Sequence, residues 1–191
     1  MPHRVCPWWL GYCLACPVLR LGQNPSNILA PYVQDGMTVF EPGPGMGFFT
    51  LELARRVGPS GRVVAVDVQP KMIQSLTRRA AKAGLLDRID ARIASAGSAD
   101  YSDLLGRVDF TLAYAMVHEV PDVPQFFSAV AALSKPRASL LRAEPRGHVK
   151  DAAFDAEVQA AAAAGFTVAD TPAISRSYAA LLRKTGDNPA T

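Results

Sequence analysis

No apolar run in this chain is long enough to cross a bilayer as a helix. The candidate, residues 5–19, follows Met1-Pro2-His3-Arg4 and is broken by Pro7 and Pro17, whereas a span needs about 20 mainly apolar residues without such interruptions. The segment has the outline of a signal peptide, and Leu14-Ala15-Cys16 that of a lipoprotein cleavage site. The residues around that cleavage site fit it poorly and the resemblance to a signal peptide is superficial, so the expected location is cytoplasmic. Cysteine is scarce: Cys6, Cys13 and Cys16 all fall in this one segment. An odd number without an export signal points to reduced thiols rather than a disulfide framework. The excess of positive charge is small, 20 basic against 17 acidic residues, and scattered. That argues against nucleic acid as a partner. The densest basic cluster, Arg78, Arg79 and Lys82, is expected on the solvated face of a helix. Internal repeats and low-complexity tracts are missing as well. What remains is 49% hydrophobic and 19% charged over 191 residues, the composition of one globular domain.

After residue 36 short apolar strands alternate with amphipathic helices, which is the pattern of an α/β fold with a mostly parallel sheet. Strands are expected over residues 37–41, 62–67, 89–93, 108–114 and 138–144, and helices over residues 48–57, 70–83, 124–133 and 151–164. In the first helix Phe49, Leu53 and Val57 share one face. In the second, Met72, Ile73, Leu76, Ala80 and Ala83 do, with Gly84 as a C-cap. Two closing strands, residues 166–170 and 177–183, are joined by a connection too short for a parallel crossover, so they must pair antiparallel.

The first strand runs into Glu41-Pro42-Gly43-Pro44-Gly45-Met46-Gly47. A strand, a tight glycine turn and a helix form the entry of a nucleotide-binding fold, because glycine lets backbone approach a ligand closely. Glycine turns also serve packing alone, and three further features give this one chemical content. Glu41 ends the strand where a dinucleotide would lay its pyrophosphate, and like charges repel there. A cationic ligand such as S-adenosylmethionine (SAM), with its ammonium and sulfonium, is attracted instead. The spacing is G-x-G-x-G rather than the dinucleotide G-x-G-x-x-G. Asp67 ends the next strand, where an acid can accept hydrogen bonds from ribose hydroxyls or simply serve as a turn residue.

The run EPGPGMG, the VVAVD strand end, the QPKM helix start and the closing hairpin resemble class I SAM-dependent methyltransferases over about residues 30–184. The resemblance implies a Rossmann-like three-layer α/β sandwich. Its seven-stranded, mostly parallel sheet would run in the order 3-2-1-4-5-7-6, with strand 7 antiparallel. It implies that Glu41, Gly43 and Gly45 contact the methionine part of SAM, while Asp67 and Val68 hold ribose and flank adenine. Pro44, within the loop, and Tyr114, ending the fourth strand, complete the expected cofactor set with Ser98. Many members carry an acid after the third strand, where this chain has Ser95-Ala96-Gly97-Ser98. Adenine would then be read by backbone groups and by the Ser98 or Ser95 hydroxyl, and this departure motivates a second reading, a SAM-binding protein without transferase activity.

The acceptor would meet the loop after strand four, Tyr114-Ala115-Met116-Val117-His118-Glu119-Val120-Pro121, since ligands in open α/β sheets bind outside the carboxyl ends of the strands. His118 is the candidate base, with Glu119 to orient or replace it; a plain hydrogen-bonding role in the loop is the alternative. Glu144 and His148 are second candidates. The Asn/Asp-Pro-Pro-Tyr motif of amino-group DNA methyltransferases is missing, which disfavours nucleobase amines. Residues 1–30, with Trp8, Trp9 and Tyr12, are expected to form an apolar lid over a domain of residues 31–184, followed by a short tail. The cysteines are either packing residues or a soft-metalloid site. The expected function is methyl transfer to a small molecule, resembling the branch that contains quinone-biosynthesis and arsenite methyltransferases. A homodimer is left open, and an NAD-dependent oxidoreductase is disfavoured by Glu41 and the hairpin.

Overall fold

A strand whose consecutive residues are all buried must be covered on both faces, and Arg62–Asp67 is such a strand: Val63, Val64, Ala65 and Val66 are all inside. The computed structural model describes residues 23–94 and 100–186. They fall into two units, one ending at Asp100 and the other beginning at Tyr101. In the first, α1 (Pro25–Leu29) is followed by β1 (Thr38–Pro42), α2 (Thr50–Arg56), β2 (Arg62–Asp67), α3 (Pro70–Lys82) and β3 (Ile89–Ile93). The three strands run parallel, with Glu41 beside Ala65 and Asp67 beside Ile93. Helices supply the crossovers that parallel pairing requires.

The expected first helix proves shorter than its periodicity. Phe48 and Phe49 belong to the turn that leaves the glycine loop, although Phe49, Leu53 and Val57 are all buried as expected. In α3 the inward stripe is Met72, Ile73, Leu76 and Ala80, but Ala83 is exposed. The reason lies in how the helix stops. The Leu85 amide bonds to the Ala80 carbonyl and the Gly84 amide to that of Ala81, a Schellman ending that turns Leu85 inward in place of Ala83. Arg79 also leaves its expected solvated face. It is half-buried, and its Nη1 donates to the Met46 carbonyl at 2.5 Å, tying the helix to the glycine loop.

The second unit contains β4 (Val108–Tyr114), α4 (Val123–Leu133), β5 (Ser134–Pro145), α5 (Asp151–Ala163), β6 (Phe166–Asp170) and β7 (Ser177–Lys184). The Asp122 carboxylate accepts from the Gln125 amide and caps α4 ahead of Pro124. β5 begins earlier than expected, directly after α4, with an irregularity in its pairing to β4 between Val108 and Phe110. It pairs parallel with β4 and antiparallel with β7, and β6 pairs antiparallel with β7. The sheet order is β3-β2-β1-β4-β5-β7-β6, the seven-stranded α/β arrangement expected, with strand 7 antiparallel.

Two glycines of the loop do different work. A Cβ on Gly47, at φ 83°, would lie 2.4 Å from the Leu76 side chain, which is fully buried and has nowhere to go. A Cβ on Gly45, at φ 55°, would meet nothing within 4 Å. Gly47→Ala should therefore destabilise the protein by about 2 kcal/mol or more, through left-handed backbone and overpacking together. Gly45→Ala should cost only the backbone part, about 1–2 kcal/mol. Urea denaturation of the two variants measures the difference, and equal losses would contradict the packing role of Gly47.

Candidate active site

Two carboxylates stand at the ends of neighbouring strands in the first unit. Glu41 is buried at 4% exposure and Asp67 at 8%. Between them the Gly43 amide bonds to the Val66 carbonyl at 2.8 Å, which carries the β1–β2 ladder one step past the strand and fixes the start of the loop. Gly43 is exposed, Gly45 half-exposed and Pro44 buried, so the glycines face outward while Pro44 faces in. The Asp67 Oδ1 accepts from the Gln69 amide at 2.8 Å, so its turn role is real and also fixes the carboxylate's direction. Val68 follows at 57% exposure, an apolar side chain left at the surface beside that acid. Open space at Gly45, two acids and an exposed apolar neighbour fit a cation that carries a ribose and a flat ring. The residues present therefore suit SAM.

The second unit holds the remaining candidate residues. Ala115, immediately after β4, has φ 54°, a left-handed backbone that is costly for a residue with a Cβ. It reverses the chain into a short turn over Val117–Glu119. The Glu144 carboxylate, with no exposed surface, holds this turn. Its Oε1 accepts from the Val117 amide at 2.8 Å and from the His118 amide at 3.3 Å, and its Oε2 lies 2.7 Å from His118 Nδ1. Both oxygens of a buried carboxylate are thereby used, and the imidazole is fixed with Nδ1 as the donor. The bond to Glu144 raises the His118 pKa, against the opposing effect of burial. Glu119, expected to orient the ring, instead has its Oε1 3.9 Å from Nε2, beyond hydrogen-bond reach. The carboxylate within hydrogen-bond distance of the ring is that of Glu144. The His148 ring lies edge-on to His118, 5.8 Å between centroids, so both second candidates sit with His118.

Tyr114, half-buried, ends β4 just before the turn. Ser98, Ser95 and Gly97 lie outside the described residues, as do Cys6, Cys13, Cys16, Trp8, Trp9 and Tyr12. Of the expected lid, α1 is described. Leu29 is buried, and Ser26 takes two bonds from Arg56 Nη2 of α2, at 2.8 Å to its carbonyl and 2.9 Å to its hydroxyl. Its end is thus fastened to the first unit. Among the described residues no group of three or more His, Cys, Asp or Glu could hold a metal ion, and no helix is long and apolar enough to cross a membrane.

Residues 33–184 match the methyltransferase domain family. The chain belongs to the SAM-dependent methyltransferases. Among curated proteins it is similar to a protein-L-isoaspartate O-methyltransferase of Triticum aestivum, 30% identical over 88 residues. That match covers 44% of this chain and 38% of the relative, so this methyltransferase spans well under half of the wheat protein in alignment. A SAM-dependent methyltransferase of Aquifex aeolicus has the same fold at TM-score 0.81 and 21% identity, over 94% of this chain and 98% of that one. A SAM-dependent O-methyltransferase of Thermotoga maritima follows at 0.65 and 16%, over 93% and 73%. The cyclase SpnF gives 0.69 and 16%, over 84% and 80%. The fold alone therefore does not name a reaction.

The raised His118 pKa makes a stability prediction for this methyltransferase. A group whose folded pKa is raised stabilises the fold fully below its unfolded value, about 6.5, and that contribution is lost as pH rises through the folded value. Glu144→Gln should remove the dependence. The stability advantage of the unaltered protein over this variant should be larger at about pH 6 than at about pH 9, measured by urea denaturation. A pH-independent difference would contradict the bond.

Proposed function

We propose that this methyltransferase moves the methyl group of SAM to a small-molecule acceptor that must give up a proton, from a hydroxyl or an acidic carbon. When bound, SAM supplies an electrophilic methyl group on a sulfonium, and alignment of donor and acceptor is most of what such a displacement asks of a protein. Glu41, Gly43 and Gly45 hold the methionine end, with Pro44 setting the loop between them. Asp67 accepts from the ribose hydroxyls, Val68 lies against adenine, and Tyr114 and Ser98 complete the cofactor's surroundings. His118 takes the acceptor's proton on Nε2, the nitrogen left over once Nδ1 donates to Glu144.

The observation that carries this reading is the 2.7 Å bond between His118 Nδ1 and a fully buried Glu144. The bond helps to satisfy a buried carboxylate, and it also gives the ring what a base gains from such a partner: orientation, a fixed tautomer and greater basicity. A carboxylate acceptor, as the name of the wheat relative suggests for that protein, is already ionised and would leave the pair without a task. The soft-metalloid reading rests on Cys6, Cys13 and Cys16, and draws nothing from the described residues.

Turnover of labelled SAM against phenols, quinols, thiols, arsenite and an isoaspartyl peptide tests the proposal. Phenol or quinol turnover is expected, rising with pH as His118 loses its proton. His118→Ala should slow it by roughly 100-fold or more while leaving SAM affinity nearly unchanged in calorimetry. Equal turnover by the variant, or a rate flat through the His118 titration, would retire His118 as a base. Asp67→Ala should weaken SAM binding by about 1–3 kcal/mol through lost charge-assisted hydrogen bonds, and unchanged affinity would mean the ribose lies elsewhere.

A further inference from the structure

Arg142 has no exposed surface, and neither the fold nor the proton transfer described above accounts for its charge. It lies on β5 two residues before Glu144, and side chains two apart on a strand share a face. On that face its guanidinium stacks on the Phe154 ring of α5, 4.1 Å from the ring centre, and is ion-paired with Glu157 of the same helix. Tyr178 of β7, opposite Glu144 in the register, packs against Phe154 at 5.6 Å. A row of alternating charge results, from Glu157 through Arg142 and Glu144 to His118. A buried guanidinium loses its hydration, and charge partners must offset that loss. An aliphatic side chain would fill the same space more cheaply, so the charge calls for an explanation beyond packing.

We propose that Arg142 is a positioning residue for His118: anchored by Glu157 and Phe154, it competes by charge for the Glu144 carboxylate and so sets how firmly Glu144 holds the imidazole and its proton. This rests on the reading of His118 as a base. Burial lowers the Arg142 pKa to about 10, so it remains a cation near neutral pH. Its charge acts on His118 in the direction opposite to Glu144 and Glu119, lowering where they raise. The groups facing the imidazole are then Glu119 on its own turn, Glu144 and Arg142 on β5, and His148 beyond β5, with Glu157 of α5 acting through Arg142. Without Arg142, Glu144 would hold the protonated ring more firmly, and the imidazole would give up its proton less readily. Glu157 in turn offsets part of Arg142's charge.

The two substitutions should therefore act in opposite directions. The His118 imidazole is titrated by NMR in the full chain, without donor or acceptor. Arg142→Met should move its midpoint up, and Glu157→Gln should move it down, each by about half to one unit; Arg142→Lys should restore the unaltered value. Midpoints that do not move, or that move the same way in both variants, would overturn the proposal. If Arg142→Met does not fold, a fall in Glu157→Gln together with an unshifted Arg142→Lys supports the charge coupling, and no fall in Glu157→Gln overturns it. The pH–rate midpoint for methyl transfer should follow the NMR midpoint in each variant. If the imidazole shifts but the rate does not follow, the coupling stands and His118 fails as the base.

Discussion

A carboxylate with no exposed surface must be given donors by the groups around it, and the Glu144 carboxylate takes three: the amides of Val117 and His118 and the His118 Nδ1. Those bonds hold the turn that β4 enters through the left-handed backbone of Ala115. They also fix the histidine that the turn carries. The second unit's candidate chemistry depends on this one group, because a freely turning imidazole would have neither a defined tautomer nor a raised pKa.

The arrangement sets stability and activity against each other along one axis. Protonated His118 is favoured by its bond to Glu144, so the fold gains at lower pH. A base must be unprotonated, so the proposed chemistry gains at higher pH. Arg142 offers a way to place the crossover, since its charge opposes that of Glu144 from the buried side of the same strand. In the first unit Glu41 and Asp67 are buried carboxylates at strand ends whose register is fixed by β1–β2 pairing, and the proposed function gives them the cofactor rather than the proton.

The fold was legible because each signal is local. Strand and helix periods, the glycine turn and the short link before β7 each read correctly within a dozen or so residues. The errors lay at ends, where neighbours decide. The glycine loop delayed α2 to Thr50, and the Schellman ending exchanged Ala83 for Leu85. The positions of Glu41 and Asp67 at strand ends and of His118 in the turn after β4 were legible for the same reason, since each is set by the strand beside it in sequence. The partner of His118 was not, because Glu119 adjoins it in sequence while Glu144 reaches it only through β4–β5 pairing. A signal was present nonetheless. Arg142 and Glu144 fall at alternate positions in the buried stretch Leu140–Glu144 of β5, and charges that share one face of a buried stretch call for partners.

The tautomer of His118 tests this account most directly. Long-range proton–nitrogen correlation NMR, above the pH at which the ring loses its charge, reports which nitrogen keeps the hydrogen. The account predicts hydrogen on Nδ1 and a bare Nε2 in the unaltered protein. A ring that carries its hydrogen on Nε2 would mean that Glu144 does not hold it, and would remove the basis for His118 as a proton acceptor.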